Sequence, residues 1–571
     1  RVIDDVSLPS YADYLEANGD LPVIGTSVPV SARLMTSRSD PSVRLRAEQD
    51  PSNLFYDTQF LRLNTIYGES WQTSGQSVTY TVNVPETGYY HLSVKYRQYL
   101  IKDMSVYRKI LVNGEVPFDL METVAFPYTT SFVNRTLSAS DGEPLMIRLE
   151  QGDNTVTFEA VNYPYRTTIE TIRQVMSDIQ SLALDIKRYT SGGTDRYRDW
   201  DIESYFPDAS DQIRSWAAVL RTTHDALLPI ADNDAPSEAG SLLVAAERLE
   251  DLASDINKLP SRMVQFSDGD SSVNQMLGLL MQNLMRPSLE MERFVAHGDV
   301  RLDKPFANIF VRLFEGAKRL VLSFINNPYS ASTRDDGALQ VWVNHPRQYI
   351  EIMQTMIDQS YDGAMKVTLS QMPDQNKLIL ANTSGEAPDV AIGVNHWIPY
   401  EFAIRDASLD LRQFEGYADL VADFSKGAMI PYVFEDGVYG LPGTQNFWVT
   451  YYRKDILDSI GVTDIPQTWD EIIAILPLLQ SYGMNYFVPL AMYSGLKPFV
   501  ATLPFIYQFG GDLYTENGMQ TTINSDETLE GIRLMSELFT HYNVPKFVGN
   551  FYNHFRYGML PLGISHLSTY L

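Results

Sequence analysis

Residues 427–474, GAMIPYVFEDGVYGLPGTQNFWVTYYRKDILDSIGVTDIPQTWDEIIA, constrain the fold most, because turn, strand and helix signals follow one another there in a fixed order. Glu435, Asp436 and Gly437 form a turn, and 438–442 is a short strand that Pro442 ends for want of a backbone donor. The β-branched and aromatic run 447–452 has the composition of a buried strand. Residues 454–460 read as a helix closed by Gly461, a natural left-handed stop. Thr468 then caps a second helix, with Glu471 three residues on completing a capping box. Strand, polar elbow, strand and two capped helices make an α/β unit.

The order YGLP, polar elbow, YYRKDI and PQTWDEI resembles the interlobe segment of family 1 extracellular solute-binding proteins, the sugar-binding subunits of ABC importers. Four further pieces fall in matching order: VWVNHPRQYIEIMQ (341–354), KLILANTSGEAPDVAIGVNHW (377–397), PFIYQFGGDLYTENG (504–518) and FYNHFRYGMLPLGI (551–564). The resemblance covers 339–571. It implies an α/β periplasmic-binding-protein-like two-lobed domain over 337–571. Such a domain needs a return crossing and further helices after FRYGMLPLGI, so the second lobe reads as truncated at the C-terminus.

The rest of the chain divides by periodicity. In 1–165, Val78, Tyr80, Val82 and Val84 alternate with polar residues, as do Tyr90, Leu92, Val94 and Tyr96. Asn113-Gly114 is a hairpin signal. Short strands at this spacing argue for an all-β sandwich. VPETGYYHLSVKY, ILVNGEVPF and LEQGDNTVTFEAV together resemble a carbohydrate-binding-module jelly roll. That resemblance makes Trp71, Tyr89, Tyr96, Tyr99 and Tyr107 candidates for stacking on sugar rings, while alternation on strands equally places such aromatics in a core. Glu48 and Asp50 fall far short of the oxygen set that calcium requires.

Residues 166–336 read as an all-α spacer or platform. Ile169, Ile172, Val175, Met176, Ile179, Leu182, Ala183 and Ile186 recur at threes and fours as one apolar stripe. Further helices are expected at 209–228, 239–258, 272–297 and 306–326, punctuated by Pro260, Pro287 and Pro305. Asp232-Asn233-Asp234 and Asp268-Gly269-Asp270 lack EF-hand spacing and read as caps and turns. The polar run 330–337 is the linker to the last domain.

Composition bounds the partners. A net charge of -27 excludes a nucleic-acid footprint and electrostatic docking on anionic lipid. The absence of cysteine excludes disulfides and thiolate metal sites. The most apolar stretch, 306–325, carries Arg312, Glu315, Lys318 and Arg319 and is no membrane span. The resemblance implies an extracellular, cell-surface bacterial lipoprotein whose N-terminal lipid anchor has been removed with the leader. It is expected to be monomeric.

From 337 on, strands near 339–344, 366–372 and 388–393 alternate with helices, so a parallel sheet is expected with ligand at its carboxyl ends. That rule selects the loops carrying Asn344, His345 and Arg347, then Asn395, His396, Trp397 and Tyr400. The elbow adds Gln445, Asn446 and Trp448; later loops add Tyr493, Ser494 and Lys497, then Ser565, His566 and Tyr570. Amides, hydroxyls and a guanidinium suit sugar hydroxyls, and Trp and Tyr suit the apolar sugar faces. Maltose-binding relatives carry ligand contacts at the positions matching Asn344, His345, 395–397, Asn446 and 565–566. Asn446 stands where that relative has a carboxylate and His345 where it has a glycine, so sugar identity does not transfer. Trp342 and Trp469 read as packing.

No phosphate loop, two-histidine zinc helix or nucleophile elbow is present, and no cofactor is expected. His345, His396 and His566 could in principle hold zinc, but no carboxylate ligand accompanies them. The reading is a non-catalytic receptor that closes on an oligosaccharide about a hinge at 438–452 and delivers it to the transmembrane subunits of an ABC permease. The alternative is a cell-surface glycan adhesion or scaffold protein.

Overall fold

The computed structural model describes residues 8–567 apart from 140, 232–235, 270, 326–336, 373, 490–500, 547, 549 and 550. Tyr493, Ser494, Lys497, Tyr570, Asp232-Asn233-Asp234, Asp270 and most of the 330–337 linker therefore lie outside the described residues. The chain forms two compact units, each discontinuous in sequence: 1–164 with 284–445, and 165–283 with 446–571.

In the first unit, two five-stranded antiparallel sheets face each other. Gly88–Arg97 is central to one sheet and Gly152–Val161 to the other. Phe294 of the first sheet meets Tyr80 and Phe158 of the second at ring centroid distances of 5.4 and 5.5 Å, which identifies the shared core. Trp71, Tyr89, Tyr96 and Tyr107 are buried, and only Tyr99 among the five stacking candidates is half-exposed. Trp71 also stacks under the fully buried Arg108 guanidinium, 4.0 Å from its ring. Glu48 pairs with Arg46 and Arg97, and Asp50 Oδ1 accepts the Ser52 and Ala307 amides.

The helix expected over 272–297 is corrected by the structure. It ends at Leu284, and Glu290–His297 is instead a strand lying between Ser27–Ser31 and Gly88–Arg97. Its inward residues Phe294 and Ala296 join the core. Glu290, Glu292, Arg293 and His297 join Ser93, Lys95 and Arg97 on the opposite face. That polar face is covered by the segment around 52–54: the Lys95 ammonium donates to Asn53 Oδ1 (2.5 Å) and Glu292 Oε1 accepts the Leu54 amide (2.8 Å). Each buried charge thus meets an opposite charge or a hydrogen-bond partner, as burial demands.

His297 on this face lies 2.7 Å by Nε2 from Ser93 Oγ, with the His91 ring 5.8 Å away and Asp299 beside them. Burial, helped by His91, holds its pKa below the ordinary 6.5 against the pull of the Gly298 carbonyl and Asp299. The unfolded chain then binds the proton first. The stability contributed by neutral His297 is complete above pH 6.5 and is lost as pH falls through the folded value. Thermal melts across this range are expected to fall less steeply with acid in His297→Gln than in the parent chain; equal slopes would refute the assignment.

The second unit contains helices Arg166–Thr190, Ala209–Leu227, Gly240–Ala253 and Val273–Leu284; on the first of them Ile169, Ile172, Val175, Ile179, Leu182, Ala183 and Ile186 of the apolar stripe are buried, while Met176 is half-buried. Leu184 of the first helix enters the core of the α/β part beside Ile456, Leu457, Leu476 and Leu562. Among the described residues no helix is long and apolar enough to cross a membrane.

The α/β part begins with strands Ala338–Val343, Lys366–Gln371 and Val390–Ile392, parallel, with the first in the middle. Trp342 is buried between Met372, Leu378 and Ile398, a packing residue as expected. The expected strand 438–442 shrinks to Gly437–Val438, hairpinned to Val433–Phe434 through Glu435 at φ 50°. Asp410 fixes this hairpin by accepting the Val438 amide (3.2 Å) while Arg412 grips both its oxygens, which lowers the carboxyl pKa. Trp448–Tyr452 is a strand, but not a buried one. It forms the edge of a three-stranded sheet, and Thr450 and Tyr452 are exposed. The Thr468–Glu471 capping box forms as expected, and Gly461 follows its helix at φ 84°.

Candidate functional site

The three parallel strands of the first unit end on one cluster of polar side chains. Asn344 follows Val343 directly; its amide donates to Ile392 O and its Nδ2 to Gly393 O, both at 2.9 Å. Gln371, ending the neighbouring strand, donates to His345 O (3.3 Å) and accepts from Arg347 Nε (3.2 Å). The Asn395 amide donates to Gln375 Oε1 at 2.8 Å. These bonds tie Asn344, His345 and Arg347 to the tips of both flanking strands. His345 is further oriented by stacking on Tyr349, with centroids 5.3 Å apart.

Gly393 makes the close approach possible. Its φ of +76° is a left-handed conformation, and an added Cβ would come within 2.8 Å of His345 Nε2 and 3.2 Å of Asn344 O. Gly393→Ala is expected to cost about 1 kcal/mol of stability from the backbone alone. It should also displace the His345 ring. A melt and a ligand titration on the same sample check both effects, and an unchanged affinity would remove His345 from the site.

Trp397 and Tyr400 lie one turn apart on helix Trp397–Ala403, preceded by exposed His396, and are 45% and 43% exposed. Tyr400 is steadied by an edge contact with Phe434 at 5.4 Å. Their rings are thus presented to solvent rather than to a core. Gln445 does not join the strand tips by any described bond and donates instead to Ser425 Oγ (3.2 Å).

The remaining candidates belong to the second unit. Asn446 opens it, two residues before the edge strand. Trp448 is in register opposite His566, and their rings stack with centroids 3.8 Å apart; Ser565 pairs opposite Val449. Tyr451 donates its hydroxyl to the His566 and Leu567 carbonyls at 3.0 Å, holding the strand end in place. His566 Nδ1 is buried without a hydrogen-bond partner among the described residues. Trp448 also lines a cleft of about 170 Å³ with Thr450, Trp469, Phe505, Gln508 and Ile564.

The sequence reads Trp469 as packing. It does pack, stacking on Phe505 at 4.7 Å, and its Nε1 donates to Gln508 Oε1 (2.7 Å), yet it also walls this cleft. A Trp at the first position of a capped helix gives no local signal that separates the two roles.

Polar groups at the tips of parallel strands, with aromatic rings left open to solvent, define an α/β small-molecule-binding module. Residues 360–560 match the family of bacterial extracellular solute-binding proteins, and residues 167–284 match the 4-helix bundle domain of bacterial solute-binding proteins. The two matched segments belong to the bacterial extracellular solute-binding proteins.

Among solved structures it is similar to an ABC substrate-binding protein from Listeria monocytogenes in complex with cycloalternan, at 22% identity over 40% of this chain and 60% of that one, TM-score 0.30. It is also similar to maltose-bound MalE3 of T. maritima, at 22% identity over 41% and 62%, TM-score 0.33. The chain therefore spans about three fifths of the length of these solved proteins. A family 35 carbohydrate binding module from Clostridium thermocellum is similar at 17% identity over 24% of this chain and 87% of that module, TM-score 0.18.

Proposed function

We propose that this chain is a non-catalytic extracellular receptor for an oligosaccharide. The observation that carries the reading is the tied cluster of Asn344, His345, Arg347 and Asn395, followed on the next helix by the exposed rings of Trp397 and Tyr400. Amide, imidazole and guanidinium groups match a neutral, hydroxyl-rich guest, and the rings supply its C–H faces with a flat partner. The sequence assigns Asn446, Trp448, Ser565 and His566 to oligosaccharide contacts as well, with closure about 438–452.

In this reading the loaded form is delivered to the transmembrane subunits of an ABC permease, and the receptor acts as a monomer. Titration calorimetry against a panel of neutral oligosaccharides tests the proposal. Micromolar or tighter binding is expected for at least one, weakened about tenfold in Trp397→Ala, the order of one stacking contact. Cleavage of a panel member, seen by chromatography of the same mixtures, would replace the receptor with an enzyme. Absence of binding across the panel would end the carbohydrate reading.

A further inference from the structure

We propose that a crevice in the second unit, walled by helices Arg166–Thr190, Val273–Leu284 and Lys454–Ser459, is a second binding site, for a sugar-sized hydroxylated anion. All of its walls belong to one compact unit. Its volume is about 440 Å³, within the range of small-molecule pockets.

The charge balance of the walls points to an anion. The one carboxylate among the lining residues, Asp455, is engaged by Arg453 through both oxygens, at 2.8 and 2.6 Å. Arg453 spends its remaining donors on the Phe555 and Arg556 carbonyls, at 3.2 and 2.7 Å. Arg173 and Arg556 also line the crevice, and neither has a carboxylate partner among the described residues. Two unneutralised guanidiniums facing one space are unusual on a chain of net charge -27. They are the geometry that a carboxylate or phosphate satisfies.

The floor calls for hydroxyl groups. Asn274 uses its Nδ2 on Gln180 Oε1 (3.3 Å), which leaves its own Oδ1 buried without a donor. Gln275 beside it is only 8% exposed, and Ser177 and Ser181 lie along the same stripe of the first helix. A buried acceptor without a donor costs free energy that a ligand hydroxyl would recover. Gly278 keeps the space open: an added Cβ would lie 3.3 Å from the Met176 methyl and 3.6 Å from Arg556 Nη2. A monosaccharide carrying a carboxylate or a phosphate meets both demands. This site shares no residue with the oligosaccharide site proposed above.

Calorimetry on the whole chain with D-glucuronate, D-glucose 6-phosphate, D-glucose and inorganic phosphate tests it. At least one sugar anion is expected to bind about tenfold or more tightly than both D-glucose and inorganic phosphate, and the preferred anion identifies the charged group. Arg556→Gln and Arg173→Gln should each weaken that binding by about tenfold, the loss of one charge-assisted contact. Trp448→Ala should leave it unchanged, and both Arg variants should leave oligosaccharide binding unchanged. Both arginines reach solvent, and matching far-ultraviolet circular dichroism confirms that the variants fold. Sugar anions that bind no better than D-glucose or inorganic phosphate, or that bind the Arg variants as well as the parent chain, overturn the proposal.

Discussion

Glu290→Ala is expected to lower the stability of the sandwich by about 2–4 kcal/mol, more than any surface ion-pair deletion in this chain. Glu290 is 1% exposed and joins Arg97 at 2.6 Å and Arg46 at 2.9 Å. Burial pushes its carboxyl pKa upward even against both guanidiniums, so the net gain from placing this charge inside is small. The loss comes from what the deletion strands: two guanidiniums left with Glu48, itself a quarter exposed, as their remaining carboxylate. Water reaches Arg46 and Arg97 at about a fifth of their surface, which keeps the cost below that of a fully dry pair. Glu48→Ala serves as the control and should cost under about 1 kcal/mol. Urea titrations of the parent chain and both variants measure the difference, and equal midpoints for Glu290→Ala and Glu48→Ala would contradict the assignment.

Trp448→Ala is expected to weaken oligosaccharide binding by about thirtyfold, close to 2 kcal/mol for a lost stacking platform. The indole packs against the His566 ring with the two planes inclined by 30°, so its orientation is set before any ligand arrives, and little ordering entropy opposes binding. It also lines the cleft shared with Trp469 and Phe505. The edge strand that carries it is half-exposed, so the fold should tolerate the change with a small shift in melting temperature. Retained affinity in a folded Trp448→Ala protein would confine the sugar contacts to the Asn344–Tyr400 side.

Which parts of this architecture could be read in the sequence follows from the range of the interactions that fix them. The Thr468–Glu471 box and the Gly461 stop depend on residues a few positions apart, and the strands from 338 onward alternate with helices in a way that imposes parallel pairing; each forms as expected. The exposure of 448–452 depends on that strand lying at a sheet edge beside residues more than a hundred positions later, which composition does not carry. Strand Glu290–His297 was hidden for two reasons. Its pairing partners lie about two hundred and about two hundred and seventy residues earlier, and a bulge between Met291 and Arg293 breaks its alternation. The one local sign was Pro287, which ends the preceding helix.

The site was legible at the strand tips, where fold geometry alone names the loops. Trp469 and Gln508 were not, since a side chain that both packs and lines a cleft looks like packing in one dimension. Asn274 and Arg556 lie 282 positions apart, and nothing near either marks a shared crevice.

The late arrival of Glu290–His297 also dictates an order of events on the ribosome. Ser27–Ser31 emerges early but cannot be zipped to Gly88–Arg97 until some two hundred further residues have been translated, because its neighbour in the sheet is Glu290–His297. During that interval the nascent first half exposes unpaired strand edges while the intervening helices are free to condense. A chain cut after residue 165 would remain permanently in that open-edged condition, and its natural failure is self-association rather than a smaller soluble domain.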